Sequence, residues 1–181
     1  MPFVWKQPSK KRTEPSAGNL TAAERRRLTF QRAVKLLAAK PRSVAELRER
    51  LLQGRYATKP LVEEVVARLR EYGYLDDEKL AFSFASSKVK QRPTGRRRLE
   101  RDLSLKKVDP AVADEALDRV FAETTEEELI NRAIEKRVRL RGRPQNRAEA
   151  KSLFDHLLRQ GFPFDLVSEK VRAASRTDLD E

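Results

Sequence analysis

The stretch VVARLREYGYLDDEKLAFSF, residues 65–84, decides the fold because each part of it fits a junction between two helices. Val65, Val66, Leu69 and Tyr72 recur at helical spacing, which predicts a helix with these four side chains facing inward. Such a stripe of apolar residues is typical of a helix that packs against a core on one side only. The stretch therefore begins with an amphipathic helix.

A glycine and two acidic residues mark the turn that follows. Gly73 reaches the left-handed conformation that ends a helix without a Cβ clash, and Tyr74 and Leu75 are expected to fold back onto the last turn. Asp76 predicts the N-cap of a new helix, with Asp77 in its first turn, where the helix dipole favours negative charge. The stretch therefore predicts a sharp boundary between two structural repeats.

Composition favours helix along the whole chain. The 181 residues are 39% hydrophobic and 38% charged, and only six are glycine. Alternating strand patterns do not occur in the sequence, so we expect almost no sheet. Cysteine is absent, which removes disulfides and thiolate metal sites and predicts a cytoplasmic protein. No apolar run approaches the ~20 residues that span a bilayer, so no membrane contact is expected.

The pattern of the junction recurs, which predicts three tandem repeats of three helices. Leu47 and Leu99 are 52 residues apart, and Leu99 and Leu153 are 54 residues apart, at corresponding places in second helices. A unit of this size buries little surface, so neighbouring units are expected to stack. We predict an all-α, elongated, curved and monomeric array of about nine helices. The predicted segments are a flexible basic arm at 1–20, repeats at 21–75, 76–123 and 124–174, and an acidic tail at 175–181.

Local signals place the ends of the first two helices. Thr21 with Glu24, and Ser43 with Glu46, have the spacing of a capping box. Gly54 is predicted to close the second helix. The first helix is expected to bury a stripe of four residues, Phe30, Ala33, Val34 and Leu37.

These motifs together resemble the RecX family, the bacterial regulators of the RecA recombinase. Residues 69–77 with the apolar residues after them resemble the signature of that family, and residues 38–47 look like its first-repeat motif. Residues 95–99 are similar to the start of its second-repeat helix, and residues 160–162 to its closing repeat. One departure is the sequence Lys-Lys-Val at 106–108, where the family commonly has a glycine. It leaves open whether that helix ends differently or runs longer.

The resemblance implies an array of three-helix repeats that binds in the groove of the RecA filament on single-stranded DNA. Such a protein modulates filament growth, usually by inhibiting it, and so affects recombination and repair. Neither catalysis nor a cofactor is implied.

Positive charge is the main signal for a binding surface, since the net charge is +12. Residues 88–107 carry nine cations and two carboxylates, a net +7, whereas residues 109–128 carry eight carboxylates and one arginine, a net −7. With Leu99 and Leu103 turned inward, the neighbouring arginines fall on the solvated side. The predicted partner contacts are Arg25, Arg26, Arg27, Arg96, Arg97, Arg98, Arg101, Arg132, Lys136, Arg139 and Arg141.

Three functions stay open on the residues alone. The resemblance implies a filament regulator, whereas a basic helical array is also typical of an autonomous helix-turn-helix-like DNA- or RNA-binding protein and of a scaffold for an acidic protein. Direct contact with a DNA backbone, and a plain solvated face, are also open for the arginines. The single histidine, His156, and the acids Asp76–Glu78 are better explained as helix surface and caps. No enzyme, metal site or cofactor is therefore predicted.

Overall fold

The computed structural model describes residues 20–176, and these residues form nine α-helices and no strand. The predicted all-α helical-repeat fold is confirmed. Most of the predicted arm at 1–20 and of the predicted tail at 175–181 lies outside the described residues. The helices are α1 Ala22–Ala39, α2 Val44–Leu52, α3 Lys59–Glu71, α4 Asp77–Gln91, α5 Arg96–Leu105, α6 Pro110–Glu123, α7 Glu126–Arg141, α8 Arg147–Arg159 and α9 Phe164–Arg176.

The junction after α3 has the predicted geometry. Gly73 adopts a φ of 71°, and the Tyr74 N–H donates to the Leu69 carbonyl at 2.9 Å, which closes α3 in the Schellman manner. The Asp76 carboxylate then accepts the Lys79 N–H at 2.9 Å and caps α4. The chain therefore changes direction here within about one turn of backbone.

The structure corrects one predicted helix end and answers the question left open at another. α2 ends at Leu52 with Gln53 as its C-cap, so Gly54 does not close it and has no left-handed φ. α5 ends at Leu105, and Lys107 takes the left-handed conformation with a φ of 58°. The Val108 N–H then donates to a carbonyl in the last turn of α5 at 3.2 Å. The helix therefore ends in the manner of a glycine cap although no glycine is present.

The helices pack into three groups of three, which we call the first unit (α1–α3), the second unit (α4–α6) and the third unit (α7–α9). Buried residues of the first unit form a core of their own, which includes Leu47, Leu51 and Leu69. The second and third units share one continuous core, which extends from Ala81 to Val171. The residue boundaries predicted for the repeats stay a prediction.

The same main-chain contact joins each unit to the next. The first N–H of a middle helix donates to a carboxylate in the first turn of the following unit. The Val44 N–H donates to Asp77 Oδ1 at 2.9 Å, and the Arg96 N–H donates to Glu126 Oε1 at 2.8 Å. We call these places the first junction and the second junction.

The residue before each of these middle helices also donates a hydrogen bond to the following unit, in each case to a main-chain carbonyl. Ser43 Oγ donates to the Lys106 carbonyl at 2.5 Å, and the Gly95 N–H donates to the Gln160 carbonyl at 3.0 Å. Lys106 and Gln160 are the C-caps of the middle helices in the following units. The start of one middle helix therefore contacts the end of the next.

Candidate partner-binding surface

Three of the four arginines predicted on α5 lie on its outer face. Arg97, Arg98 and Arg101 are exposed because Leu99 and Leu103, on the opposite face, are fully buried in the core that the second and third units share. Their guanidinium groups are available to a partner, and each can make paired hydrogen bonds with a carboxylate or a phosphate.

Arg96 has a different environment from its neighbours. Its guanidinium lies 3.0 Å from Glu100, 2.6 Å from Asp118 and 3.5 Å from Asp114. Burial by itself lowers the pKa of Arg96, but the hydrogen bonds and charges of Asp118 and Glu100 hold that pKa above its ordinary value. Arg96 therefore ties α5 to the acidic face of α6, within the molecule.

The basic residues predicted on α7 are also exposed. Arg132, Lys136 and Arg139 project from the side opposite the buried Ile130, and Arg141 ends the helix. These residues belong to the third unit, whereas the α5 arginines belong to the second. A single binding surface therefore needs residues that connect the two groups.

Two arginines that sequence reasoning missed, Arg137 and Arg159, make this connection. Arg98 Nη1 donates to the carbonyl of Arg159 at 3.1 Å, which brings the outer face of α5 to the end of α8. Burial, and then the charges of Arg137, Arg159 and Arg141, hold the pKa of His156 below its ordinary value. These three cations therefore lie around one residue of α8.

We call Arg98, Arg137, Arg141 and Arg159 the basic surface. Burial, and then the charges of Arg141 and Arg159, lower the pKa of Arg137. Arg137 Nη2 donates to Ser152 Oγ at 3.0 Å. Within residues 20–176, none of the four guanidinium groups has a carboxylate within 4.0 Å. Like charges held together repel one another until an anion enters, so the basic surface is suited to phosphates or carboxylates.

No sequence signal identified Arg137 and Arg159 as members of the site. Arg137 follows the predicted contact Lys136, but it lies between the exposed and buried faces of α7. Arg159 belongs to the last turn of α8, and its link to Arg98 spans 61 residues. That link depends on the close approach of Gly95 to Gly161 at the second junction, which helical spacing does not reveal.

The third predicted group, on α1, is more mixed. Arg26 Nε lies 2.6 Å from the carboxylate of Glu64, Arg27 is exposed, and Arg25 is half-buried. Arg25 Nε is buried and has no hydrogen-bond partner among the described residues. In that part of the chain, no hydrogen bond or ion pair connects this group to the basic surface.

Comparisons with known proteins agree with this architecture. Family models match residues 76–117 as the second three-helix domain of RecX and residues 30–69 as its first three-helix domain. The chain is similar to the crystal structure of RecX from Lactobacillus salivarius, with a TM-score of 0.72 at 18% identity over 84% of this chain and 97% of that chain. At that identity the likeness shows the fold.

Sequence relatives carry the same family name. The chain is 32% identical over 146 residues to the regulatory protein RecX of Chlorobium limicola, which covers 80% of this chain and 88% of that protein. It is 39% identical over 110 residues to the RecX of Treponema pallidum (strain Nichols), covering 61% and 66%. With the RecX of Bacillus licheniformis it shares 29% identity over 143 residues, covering 79% and 54%. The chain thus spans about half to two thirds of the length of several relatives.

Among residues 20–176, no helix is both long and apolar enough to cross a membrane.

Proposed function

This chain belongs to the RecX family of regulatory proteins, and we propose that it binds the RecA filament on single-stranded DNA and inhibits its extension. Through that contact it affects recombination and DNA repair. It acts as a cytoplasmic monomer by binding alone, without catalysis. The relatives are named as regulatory proteins, which supports a regulatory role.

The observation that carries the proposal is the basic surface. Its four arginines come from the second and third units and lack carboxylate partners among the described residues. A polymer of repeated protein subunits on DNA presents carboxylates and phosphates at several points, so a rigid set of guanidinium groups can contact more than one of them. Binding at the growing end of the filament then blocks the addition of the next subunit.

The proposed inhibition of filament growth can be measured directly. RecA-dependent ATP hydrolysis on single-stranded DNA is measured with increasing amounts of this protein, and filament length is measured in parallel. We expect both to fall. Charge reversal of Arg98 and Arg159 together should raise the concentration needed for half-inhibition at least about tenfold. No change in either readout with the unmodified protein would refute the proposal.

A matched control is charge reversal at Arg50, an exposed arginine of α2 outside the basic surface. So that its change in charge equals that of the double reversal of Arg98 and Arg159, it is combined with reversal of the exposed Arg55, and we expect less than about a twofold change in inhibition. Reversal of Arg97 and Arg101 compared with reversal of Arg132, Lys136 and Arg139 ranks the two outer groups. If no set alters inhibition while the helical content is preserved, the assignment of the contact residues is wrong.

Autonomous nucleic-acid binding is the second candidate, because arginine forks bind phosphates as well as carboxylates. It predicts binding to DNA in the absence of RecA, with an affinity that falls with salt at a slope of about −0.9 per phosphate neutralised on a duplex. Binding to RecA without DNA supports the filament proposal over this one. Binding to DNA alone, with no effect on RecA, supports the second candidate.

A further inference from the structure

An apolar groove lies between the first unit and α4, outside the basic surface. Its volume is about 1290 Å³. One wall is α1, which contributes Phe30 and Val34, and the other is α4, which contributes Leu80 and Phe84. Tyr74, in the turn between α3 and α4, also lines it. This volume exceeds the roughly 300–1,000 Å³ of small-molecule pockets, so the groove has room for a segment of protein.

Three apolar side chains in the groove are left in water. Val34 is 44% exposed, Tyr72 is 53% exposed and Tyr74 is 67% exposed. Val34 and Tyr72 were predicted to face inward, and the structure corrects that prediction, whereas the ring of Tyr74 packs edge to face against Tyr72 at the end of α3. Contiguous apolar side chains in solvent mark a contact surface, since each has favourable free energy of burial still to gain.

The rim of the groove has a net positive charge. Five cations and one carboxylate line it, namely Lys40, Arg42, Lys79, Lys88, Lys106 and Asp76. Glu46 neutralises part of this charge through its ion pairs with Lys40 and Arg42, and Asp102 lies 4.0 Å from Lys88, so a smaller net positive charge remains. The occupant that complements such a groove has apolar side chains with carboxylates beside them.

The aromatic and aliphatic lining favours a peptide over a nucleic acid. The ammonium groups of Lys88 and Lys106 lie 5.4 and 4.8 Å from the centre of the Phe84 ring, so cations already occupy the surroundings of that ring. Stacked bases need free aromatic faces. Much of the remaining floor is aliphatic, with Val34 and Leu80 among its residues. The two exposed tyrosines, Tyr72 and Tyr74, pack edge to face against each other with ring centres 6.3 Å apart, so they do not form a flat platform for successive bases.

The wall formed by α4 has the dimensions of a helix-binding site. Its lining residues run from Lys79 to Gln91, and Leu80, Phe84 and Lys88 follow one another at intervals of four. This stretch is about 18 Å long, or a little over three helical turns. The segment of this chain before Leu20 does not match, because it carries four cations and one carboxylate. Its charge has the same sign as that of the rim.

We propose that this groove binds an acidic amphipathic helix of a partner protein. The apolar face of that helix covers Val34, Tyr74 and Phe84, and its flanking carboxylates pair with Lys88 and Lys106. Docking of a helix into an apolar groove by residues at i, i+3, i+4 and i+7 is a common mode of recognition. The groove is separate from the basic surface, so this contact does not depend on the proposed regulation of RecA.

The test uses the full chain and a fluorescent peptide probe, without RecA or DNA. The probe is a helical peptide of about 14 residues with Leu and Phe at i, i+3, i+4 and i+7 and with Glu and Asp on both flanks. A second peptide has Lys in place of every Glu and Asp. We expect binding of the acidic peptide, measured by fluorescence anisotropy, and at least about tenfold weaker binding of the basic one.

Matched pairs of variants locate the binding site. Val34→Glu and Tyr74→Ser are each expected to weaken binding of the acidic peptide at least about tenfold. Leu140→Glu, at an exposed leucine outside the groove, should change that binding less than about twofold. Lys88→Glu should weaken it about fivefold, and Lys90→Glu, on the same helix outside the groove, much less. Circular dichroism and thermal melting of each variant verify that it is folded.

Three results overturn the proposal. The first is absence of binding of the acidic peptide, or equal binding by the groove variants and their controls. The second is loss of single-stranded oligonucleotide binding in the groove variants while the peptide is unaffected, which assigns the groove to nucleic acid. The third is a dimer in sedimentation analysis that Val34→Glu dissociates, which assigns the groove to a second copy of this chain.

Discussion

The two junctions between units share their hydrogen bonds but differ in how closely the backbones approach. At the second junction a Cβ on Gly95 would lie 2.4 Å from the carbonyl carbon of Gly161. At the first junction the corresponding residue is Ser43, whose buried hydroxyl bridges to the Lys106 carbonyl. At the second junction, therefore, backbone packs directly against backbone. At the first junction, a serine side chain separates the two backbones.

This difference accounts for the distribution of the cores. Where Gly95 meets Gly161, the second and third units are close enough to share one buried core. Where Ser43 and Lys106 meet, the first unit keeps a separate core, and the apolar groove remains beside α4. We infer that the first unit opens at lower free energy than the other two, because its core is separate from the core that the other two units share.

The largest loss of stability is expected when a side chain is added where the two backbones meet at the second junction. Gly95 has an ordinary φ of −78°, so Gly95→Ala adds a clash without backbone strain. It should lower the free energy of unfolding by about 3 kcal/mol or more, since backbone cannot move aside as a flexible side chain does. Urea denaturation measures this loss.

Gly73→Ala is the control for that experiment. Gly73 has a positive φ, but an added Cβ would meet nothing within 4 Å. Only the left-handed strain remains, so the expected cost is about 1–2 kcal/mol. Equal losses for the two variants would contradict the view that close packing holds the second junction together.

An intermediate effect is expected at the first junction. Ser43 caps α2 by accepting the Glu46 N–H at 3.0 Å, and its buried hydroxyl also donates to the Lys106 carbonyl. Ser43→Ala removes both contacts and should cost about 2–3 kcal/mol. Asn146 caps α8, the corresponding helix of the third unit, with no described unit beyond it. Asn146→Ala should therefore cost about 1 kcal/mol, as a cap alone does.

Hydrogen exchange adds spatial detail to the comparison of these two variants. Ser43→Ala should lower amide protection across α1–α3 more than across α4–α9, because the first unit has a separate core. A uniform fall in protection over all nine helices would argue that the first unit does not open on its own.

A smaller effect, dependent on pH, is expected from Asp77. Burial raises the pKa of Asp77, and the hydrogen bond from the Val44 N–H offsets only part of this. The folded protein thus binds this proton more readily than the unfolded chain, so stability falls as pH rises from the ordinary pKa of aspartate through the raised one. Asp77→Asn keeps an oxygen acceptor for Val44 and should remove this fall.

Asp77→Ala serves as the comparison, because it removes the acceptor as well as the charge. It should cost about 1–2 kcal/mol at neutral pH, against less than about 0.5 kcal/mol for Asp77→Asn. Stability is measured by urea titration between about pH 3 and pH 7. A free energy of unfolding that rises with pH in the unmodified protein but not in Asp77→Asn would show that the sign assigned to Asp77 is wrong.

Local sequence signals predicted the ends of most helices because each depends on only a few neighbouring residues. Thr21, Asp76 and Gly73 act as predicted, since a cap needs a side-chain oxygen or a left-handed backbone and nothing distant. The predicted burial of Val34 and Tyr72 was wrong. Helical periodicity gives the face on which a residue lies, but not whether a neighbouring unit covers that face.

The candidate site was predicted in part for a similar reason. Exposure of Arg97 and Arg101 follows from helical spacing around Leu99. The internal pairing of Arg96 and the membership of Arg159 depend on contacts over 18 to 61 residues, which the spacing of one helix cannot reveal. Those contacts are consequences of how closely the units approach at each junction.

The smallest change in stability is expected at the turn that ends the middle helix, where the second unit has Lys107 and the third unit has Gly161. Lys107 has a φ of 58° at the end of α5. Lys107→Gly relieves the left-handed strain of a residue with a Cβ but loses an exposed ion pair with Glu49. The net gain in the free energy of unfolding should be about 0.5–1 kcal/mol in urea denaturation. Lys107→Ala keeps the strain and loses the same ion pair, so it should be no more stable than the unmodified protein. If both variants are stabilised equally, relief of backbone strain at Lys107 is not the cause.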